Sequence, residues 1–240
     1  TGTCLQLERI NGCIIDGCVF GPAHRGLVIG SLQSGNQEVS ISNCDFYGDI
    51  ARHPNGIGMA VRMHGSIRNI RATEFNVAMQ LAHYIDVYHC RLENNGYAIR
   101  TGVQPNGMGW SSQIELHSIS TEASNQILFD IHKSTSNLVA TNIKIWGTGH
   151  TVLGGNPQIG IKFHPGSGRG TLVNCRFEGD FDVAAVQLAG AGPIVLINTH
   201  GEVWTKARAP GVAWIMNMNP TKISSIQSNL QTIAGANYLG

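Results

Sequence analysis

The segment GTLVNCRFEG, Gly170 to Gly179, repeats a phrase that this chain uses several times. Similar phrases are SNCDF at Ser42–Phe46, DGCVF at Asp16–Phe20 and HCRL at His89–Leu92. Each places a cysteine inside a short segment that also carries apolar residues. Because recurrence at a regular interval is the sequence signature of a repeat architecture, the interval decides the fold.

The repeats are about 26 residues long when they are aligned on the cysteine position. This alignment predicts the equivalent positions Cys18, Cys44, Thr73, Cys90, Ile119, Ile143, Cys175 and Thr199. An asparagine comes just before several of them, at Asn43, Asn142, Asn174 and Asn198. Asparagine tolerates the left-handed backbone region, so we expect a sharp bend at this point of each repeat.

Short runs of alternating apolar residues surround each bend. VSIS at Val39 and IDVY at Ile85 come before bends, and a large apolar residue such as Phe177 follows. A second set of runs, such as VAMQL at Val77 and IGIKFH at Ile159, lies between these. Alternation with a period of two predicts strands with one buried face. Three short strands in each repeat predict an all-β parallel β-helix with about eight to nine coils.

Composition and charge narrow the function classes. The 240 residues are 42% hydrophobic and 13% charged, with a net charge of +1, so no global field draws the chain to nucleic acid or to a membrane. No apolar run reaches the roughly 18 residues of a membrane-spanning helix. The cysteines lack the C-x₂-C pairs of zinc sites, so we predict buried free thiols, and we predict neither a metal nor another cofactor.

The three-strand repeat, its inward aliphatic residues and the asparagine at its bend resemble the right-handed parallel β-helix of the pectate-lyase-like superfamily. Within it, bacteriophage tailspike and polysaccharide depolymerase domains are the most similar. The resemblance covers Cys4 to about Ile226. It implies a β-helix domain over residues 1–226, with residues 227–240 as a C-terminal tail or the start of a following element.

The same resemblance implies a function and a location. It implies a domain that binds, and as a glycosidase or lyase degrades, a bacterial surface or extracellular polysaccharide. It also implies a homotrimer at the virion surface or outside the cell. The apolar residues Val173, Val195, Ile197 and Ile215 are predicted to point outward and to support trimer contacts. The alternatives are a carbohydrate-binding adhesin without catalytic activity and a structural segment of a fibre.

The resemblance further implies a polysaccharide groove on the solvent face of the first strand of each repeat. The predicted outward positions are Arg62, Gln80, Arg100, Asp130, Lys162 and Gln187. Three cations against one anion on this face favour an acidic glycan. Trp110 lies in a long loop, where its ring can stack on a sugar. We therefore predict that the substrate-binding residues are Arg62, Gln80, Arg100, Trp110, Lys162 and His164.

Glycoside cleavage generally uses two carboxyl groups, one as acid and the other as nucleophile or base. The segment EGDFD places Glu178, Asp180 and Asp182 in one turn, where mutual repulsion would keep one of them protonated. Glu178 and Glu202 form a second candidate pair, because they occupy equivalent positions in successive repeats.

Asp130 with His132 is a third catalytic candidate. It lies on the outward face between the cations Arg100 and Lys162 of neighbouring repeats. An aspartate beside cations stays ionised, which suits a nucleophile or a base better than an acid. Polygalacturonases of this fold carry a paired Asp-Asp motif, and its absence from this chain argues against that family.

Overall fold

The structure is a computed structural model that describes residues 2–30, 38–101, 111–122, 127–132, 135–147, 159–179, 181–190, 192–202, 213–217, 222–228 and 232–234. Within these ranges every regular element is a β-strand, which confirms the all-β prediction. No helix long and apolar enough to cross a membrane occurs in them.

Most strands are short. They are β1 (Thr3–Leu7), β2 (Ile14–Asp16), β3 (Val19–Phe20), β4 (Arg25–Ile29), β5 (Val39–Ser42), β6 (Asp45–Tyr47), β7 (Ile57–Arg68), β8 (Arg71–Thr73), β9 (Val77–Tyr88), β10 (Arg91–Glu93), β11 (Tyr97–Thr101), β12 (Ser111–His117), β13 (Ser120–Glu122), β14 (Ile127–Ile131), β15 (Thr135–Thr141), β16 (Lys144–Trp146), β17 (Ile159–Phe163), β18 (Arg169–Val173), β19 (Arg176–Glu178), β20 (Ala184–Leu188), β21 (Ile194–Ile197), β22 (His200–Glu202), β23 (Ala213–Asn217), β24 (Ile223–Ile226) and β25 (Thr232–Ala234). Strand β25 pairs with β23.

The described strands form two parallel sheets, one of 17 strands and one of eight. The smaller sheet contains β3, β6, β8, β10, β13, β16, β19 and β22. Strands of successive repeats pair in register, so Leu172 on β18 lies between Ala140 on β15 and Leu196 on β21. Equivalent residues of neighbouring repeats therefore stack in rows about 4.8 Å apart.

Two of the strands are longer than the sequence predicts. Strands β7 and β9 have 12 residues each, and β9 contains both VAMQL and IDVY. The chain passes through the corner between these two segments without leaving the sheet. In β7 this corner is at Gly65, where an added Cβ would lie 1.8 Å from the Val39 carbonyl oxygen.

The bend follows the asparagine prediction. The residues Asn43, Asn69, Asn142, Asn174 and Asn198 have φ values between 45° and 55°. Their side chains also bond along the stack, with Asn69 Nδ2 donating to Asn43 Oδ1 at 3.0 Å and Asn198 Nδ2 donating to Asn174 Oδ1 at 2.8 Å. One predicted position is wrong, because Ile70 follows the bend at Asn69 and Thr73 lies on the third strand of its repeat, β8.

The core is built from the inward residues of every repeat. Leu172, Cys175 and Phe177 are buried, as their phrase predicts, and Gly170 leaves room for the Phe163 ring, whose Cζ would lie 2.8 Å from an added Cβ. Ile215 is also buried in this core, so the prediction that it points outward is wrong.

The prediction of buried thiols holds for half of the cysteines. Cys44, Cys90 and Cys175 are buried, and burial raises the pKa of the Cys90 and Cys175 thiols to about 12. Cys4 is exposed, and Cys13 and Cys18 are partly exposed, because the first repeat lies at one edge of the described sheets. All six are free thiols.

The bend at Asn174 gives a direct test of the asparagine row. Asn174→Ala should lower the free energy of unfolding by about 1–2 kcal/mol, because alanine is strained in the left-handed region and cannot accept the Asn198 hydrogen bond. Asn174→Gly should lose less, since glycine adopts this conformation without strain. Urea denaturation measures the free energy of unfolding of both variants. Equal stability of the two would show that the positive φ at this position does not disfavour alanine.

Candidate functional site

The outward row of the first strands largely matches its prediction. Gln80, Arg100, Asp130, Lys162 and Gln187 are register neighbours on β9, β11, β14, β17 and β20. Arg62 is not in this row, because it pairs with Ala82, two residues further along β9. Ala60 is the register neighbour of Gln80 instead.

The Asp130 carboxylate lies at the centre of a cluster of donors, and its side chain is only 4% exposed. Arg100 Nε donates to Oδ2 at 3.0 Å, His132 Nε2 donates to Oδ2 at 3.0 Å, and His164 Nε2 donates to Oδ1 at 2.7 Å. Burial by itself raises the pKa of Asp130, but the hydrogen bonds from the two histidines and the charge of Arg100 outweigh it. The pKa of Asp130 is therefore held well below its usual range, and the carboxylate is ionised at neutral pH.

The two imidazole rings of this cluster are stacked. Their centroids are 4.2 Å apart and their planes differ by 14°. Asp130, His132 and His164 have ligand atoms within 4.8 Å of one another, which is close enough for one metal ion. However, an imidazole nitrogen binds a metal in the plane of its ring, and one ion cannot lie in two nearly parallel planes. As placed, the rings favour hydrogen bonding to the two carboxylate oxygens over shared metal ligation.

Arg100 is held from a second side. Its Cζ atom lies 3.8 Å from the centroid of the Tyr97 ring, a cation–π contact. The side chain remains 22% exposed, and those of His132 and His164 are 30% and 26% exposed. The buried Asp130 carboxylate is thus surrounded by the side chains of Arg100, His132 and His164, which solvent can reach.

Glu178 occupies a different surface. It ends β19 in the eight-stranded sheet, and its carboxylate binds Lys144 Nζ at 3.1 Å and Arg176 Nε at 2.6 Å. Glu178 and Glu202 are register neighbours, as predicted, and Trp146 lies on the other side of Glu178. Asp130 belongs to the 17-stranded sheet, so these glutamates do not share its row.

The remaining candidates divide between described and undescribed residues. Asp180 and Trp110 lie outside the described residues. In the EGDFD turn the Phe181 side chain is buried in the core, and Asp182 is exposed. The side chain of Glu202 also lies outside the described part, although its backbone is paired in β22.

A groove of about 550 Å³ lies elsewhere on the 17-stranded sheet. Its polar lining includes Glu38, His64, Tyr84, Asp86, Gln113 and Glu115. These residues come from β7, β9, β12 and the residue before β5, at and beyond the corner where β7 and β9 continue without a break. None of them is among the sites predicted from the sequence.

Two carboxylates of the groove have different surroundings. Asp86 and Glu115 are register neighbours on β9 and β12. Burial, followed by the negative charge of Glu115, raises the pKa of Asp86, and His117 and Arg68 oppose this shift only in part. Glu115 instead has nearby donors, with Gln113 Nε2 at 2.5 Å and His117 Nε2 at 3.3 Å. The pair therefore combines a carboxyl group biased toward its acid form with a hydrogen-bonded neighbour.

Aromatic rings border this pair. Tyr84, Asp86 and Tyr88 alternate on the outer face of β9, and Tyr84 is 47% exposed. The Tyr88 ring stacks on His117 with centroids 4.8 Å apart. The alternation YIDVY indicates this site in the sequence, because its Tyr and Asp residues occupy the outward positions of the strand. The sequence prediction used only the inward residues of that strand.

Comparison with family models, with curated proteins and with solved structures gave no match to this chain. The chemistry of the two residue clusters therefore carries the functional assignment. The groove offers paired carboxyl groups with aromatic rings, and the Asp130 cluster offers imidazoles beside cations.

Asp130→Asn should remove a pH-dependent contribution to stability. The folded-state pKa of Asp130 lies below the unfolded value of about 3.9 for aspartate, so its ionised form stabilises the fold above that pH. This contribution is lost as the pH falls below the unfolded value toward the folded one. The difference in free energy of unfolding between wild type and variant should thus be largest near pH 7 and shrink near pH 3. Urea denaturation at several pH values measures it, and a difference that stays constant would contradict the lowered pKa.

Proposed function

We propose that this chain is a right-handed parallel β-helix related to the pectate-lyase-like superfamily, and that it binds and degrades polysaccharide in a tailspike-like protein. Parallel in-register pairing of successive repeats and the asparagine row at the bend support this architecture. Right-handedness is supported by the general rule that about 98% of parallel crossover connections have this hand.

The observation that carries the function is the Asp86–Glu115 pair in its groove. A glycosidase needs one carboxyl group that is protonated at working pH and a second that is ionised. Asp86 suits the first role, because burial and the charge of Glu115 raise its pKa. Glu115 suits the second role, because Gln113 and His117 place donors beside its carboxylate.

The proposed reaction is hydrolysis of a glycosidic bond. Asp86 protonates the departing oxygen as the C–O bond breaks, and a carboxylate oxygen of Glu115 forms a bond to the sugar carbon. Strand neighbours lie about 4.8 Å apart, which is close to the separation of about 5 Å between carboxyl groups in retaining enzymes. Water then attacks the same carbon and gives its proton to Asp86, and the bond to Glu115 breaks as the sugar is released.

Substrate binding is assigned to the aromatic border of the groove. The exposed Tyr84 offers an apolar ring face with a polar tip, a combination that suits a sugar ring. The proposed substrate is a bacterial surface or extracellular polysaccharide. The location outside the cell or on a virion and the homotrimeric state belong to the same proposal, and Val173, Val195 and Ile197 are partly exposed, as trimer contacts require.

Asp86→Asn and Glu115→Gln should each lower kcat by about 10²–10⁴-fold, because each removes one half of the acid–base pair. Reducing-end release from a panel of capsule and lipopolysaccharide glycans measures the activity. Glu93→Gln is the matched control, since Glu93 pairs with Arg71 and Arg91 in the other sheet. Full activity in both groove variants would refute the assignment of the pair.

Tyr84→Ala should raise KM roughly fivefold and leave kcat nearly unchanged, because a ring contact of about 1 kcal/mol is lost from both ground and transition states. Steady-state kinetics on the same glycan separates the two constants. If glycan binding persisted without product from the wild-type protein, the adhesin alternative would replace the enzyme.

A further inference from the structure

Two histidines of paired strands meet at the wall of the groove. His64 on β7 lines the groove, and His83 lies on β9, which pairs with β7. The Nε2 atom of His64 lies 3.3 Å from the Nδ1 atom of His83. The Tyr84 ring supports His64 by an edge contact, with centroids 4.9 Å apart. Both histidines are partly exposed, so a small solute can reach them, and neither takes part in the proposed hydrolysis.

The distance between these two nitrogen atoms suits a shared metal ion. It is long for an N–H hydrogen bond, for which about 2.9–3.0 Å is usual. A tetrahedral zinc ion holds imidazole nitrogens at about 2.0–2.1 Å, which places two of them about 3.3–3.4 Å apart. An imidazole binds a metal in the plane of its ring, and these two planes differ by 49°. One ion can therefore lie in both planes, unlike in the nearly parallel planes of His132 and His164.

His83 also has two features that its own contribution to stability does not explain. Its φ is 82°, in the left-handed region that a residue other than glycine adopts at a cost. Its Nε2 atom is buried and has no hydrogen-bond partner among the described residues. Strained residues of this kind cluster at active sites and ligand sites. His83 is therefore a candidate ligand on grounds independent of its distance to His64.

The charge of the groove favours a cation. Its lining includes the carboxyl groups of Glu38, Asp86 and Glu115 and, within the part of the chain that the structure describes, neither lysine nor arginine. A cleft lined by charges of one sign concentrates ions of the opposite sign. Arg62 lies near His83 and repels a cation, but the three acidic groups of the lining offset one arginine.

Protons compete only weakly with a metal at His83. Burial, followed by the neighbouring Arg62 and His64, lowers the pKa of this imidazole. The ring is therefore neutral at neutral pH, which is the form that binds a metal ion.

We propose that His64 Nε2 and His83 Nδ1 bind a divalent transition-metal ion such as Zn²⁺ at the wall of the groove. Imidazole suits Zn²⁺, Cu²⁺ and Ni²⁺, whereas Ca²⁺ and Mg²⁺ prefer oxygen ligands. Two imidazoles leave two positions of a four-coordinate ion open to water or to a solute in the groove. The sequence predicts no metal, because these histidines are 19 residues apart and meet only through the pairing of β7 with β9. This site goes beyond the proposed hydrolysis and does not depend on it.

Zn²⁺ alone is the probe, and isothermal titration calorimetry at pH 7 measures its affinity. His64→Gln and His83→Asn should each weaken binding more than about tenfold, because even the loss of an outer partner of a metal ligand costs about 10–100-fold. Asparagine suits position 83, since it tolerates the left-handed backbone region. His132→Gln is the matched control and should leave the affinity unchanged, because His132 bonds Asp130 in the other cluster.

Stability provides a second readout. Saturating Zn²⁺ should raise the Tm of the wild-type protein and of His132→Gln, but not that of His64→Gln or His83→Asn. Circular dichroism verifies that each variant folds, and His64→Gln carries the test if His83→Asn does not. No Zn²⁺ binding to the wild-type protein at millimolar concentration would overturn the proposal. Binding that His132→Gln weakens and His64→Gln does not would overturn it as well. Calorimetry needs no glycan, so failure of the metal site is distinguishable from failure of the proposed hydrolysis.

Discussion

Parallel backbone hydrogen bonding between successive repeats is the constraint on which the rest of this structure depends. Each strand pairs in register with the equivalent strand of the next repeat, so any residue type at a given position meets its counterparts about 4.8 Å away. Apolar counterparts pack into the core, and asparagines bond along the bend. The same stacking places charged outward residues beside one another, which is how both candidate sites arise.

The two sites use this stacking in different ways. In the groove, register brings two acids together, and burial with repulsion raises the pKa of Asp86. In the other cluster, register stacks His132 on His164 over one buried acid, and their hydrogen bonds with the charge of Arg100 lower the pKa of Asp130 despite burial. Burial raises the pKa at both carboxyl groups, and only at Asp130 do the hydrogen bonds and the adjacent cation outweigh it.

The period and the inward residues were predictable from local patterns, because alternation and a recurring bend residue depend on only a few positions. The predicted positions are wrong where the repeat length varies. Thr73 was placed at the bend instead of Ile70, since the next bend follows Asn69 after only 20 residues, at His89. Arg62 was placed beside Gln80, although it lies beside Ala82. Asp86 lies in the quoted strand IDVY, but its pairing with Glu115 is not predictable, because pairing across repeats of unequal length cannot be counted along the chain.

By itself, the sequence determined the strand period, the asparagine bends, the inward aliphatic stacks and the presence of Asp130 on an outward row with Arg100 and Lys162. Only the tertiary structure decided which nitrogen atoms reach the Asp130 oxygens, that the histidine rings stack, and that Asp86 and Glu115 share a groove. The reason is physical. Periodicity records which face a side chain occupies, whereas hydrogen-bond distances, burial and pKa depend on the exact register of neighbouring repeats and on the corner at Gly65.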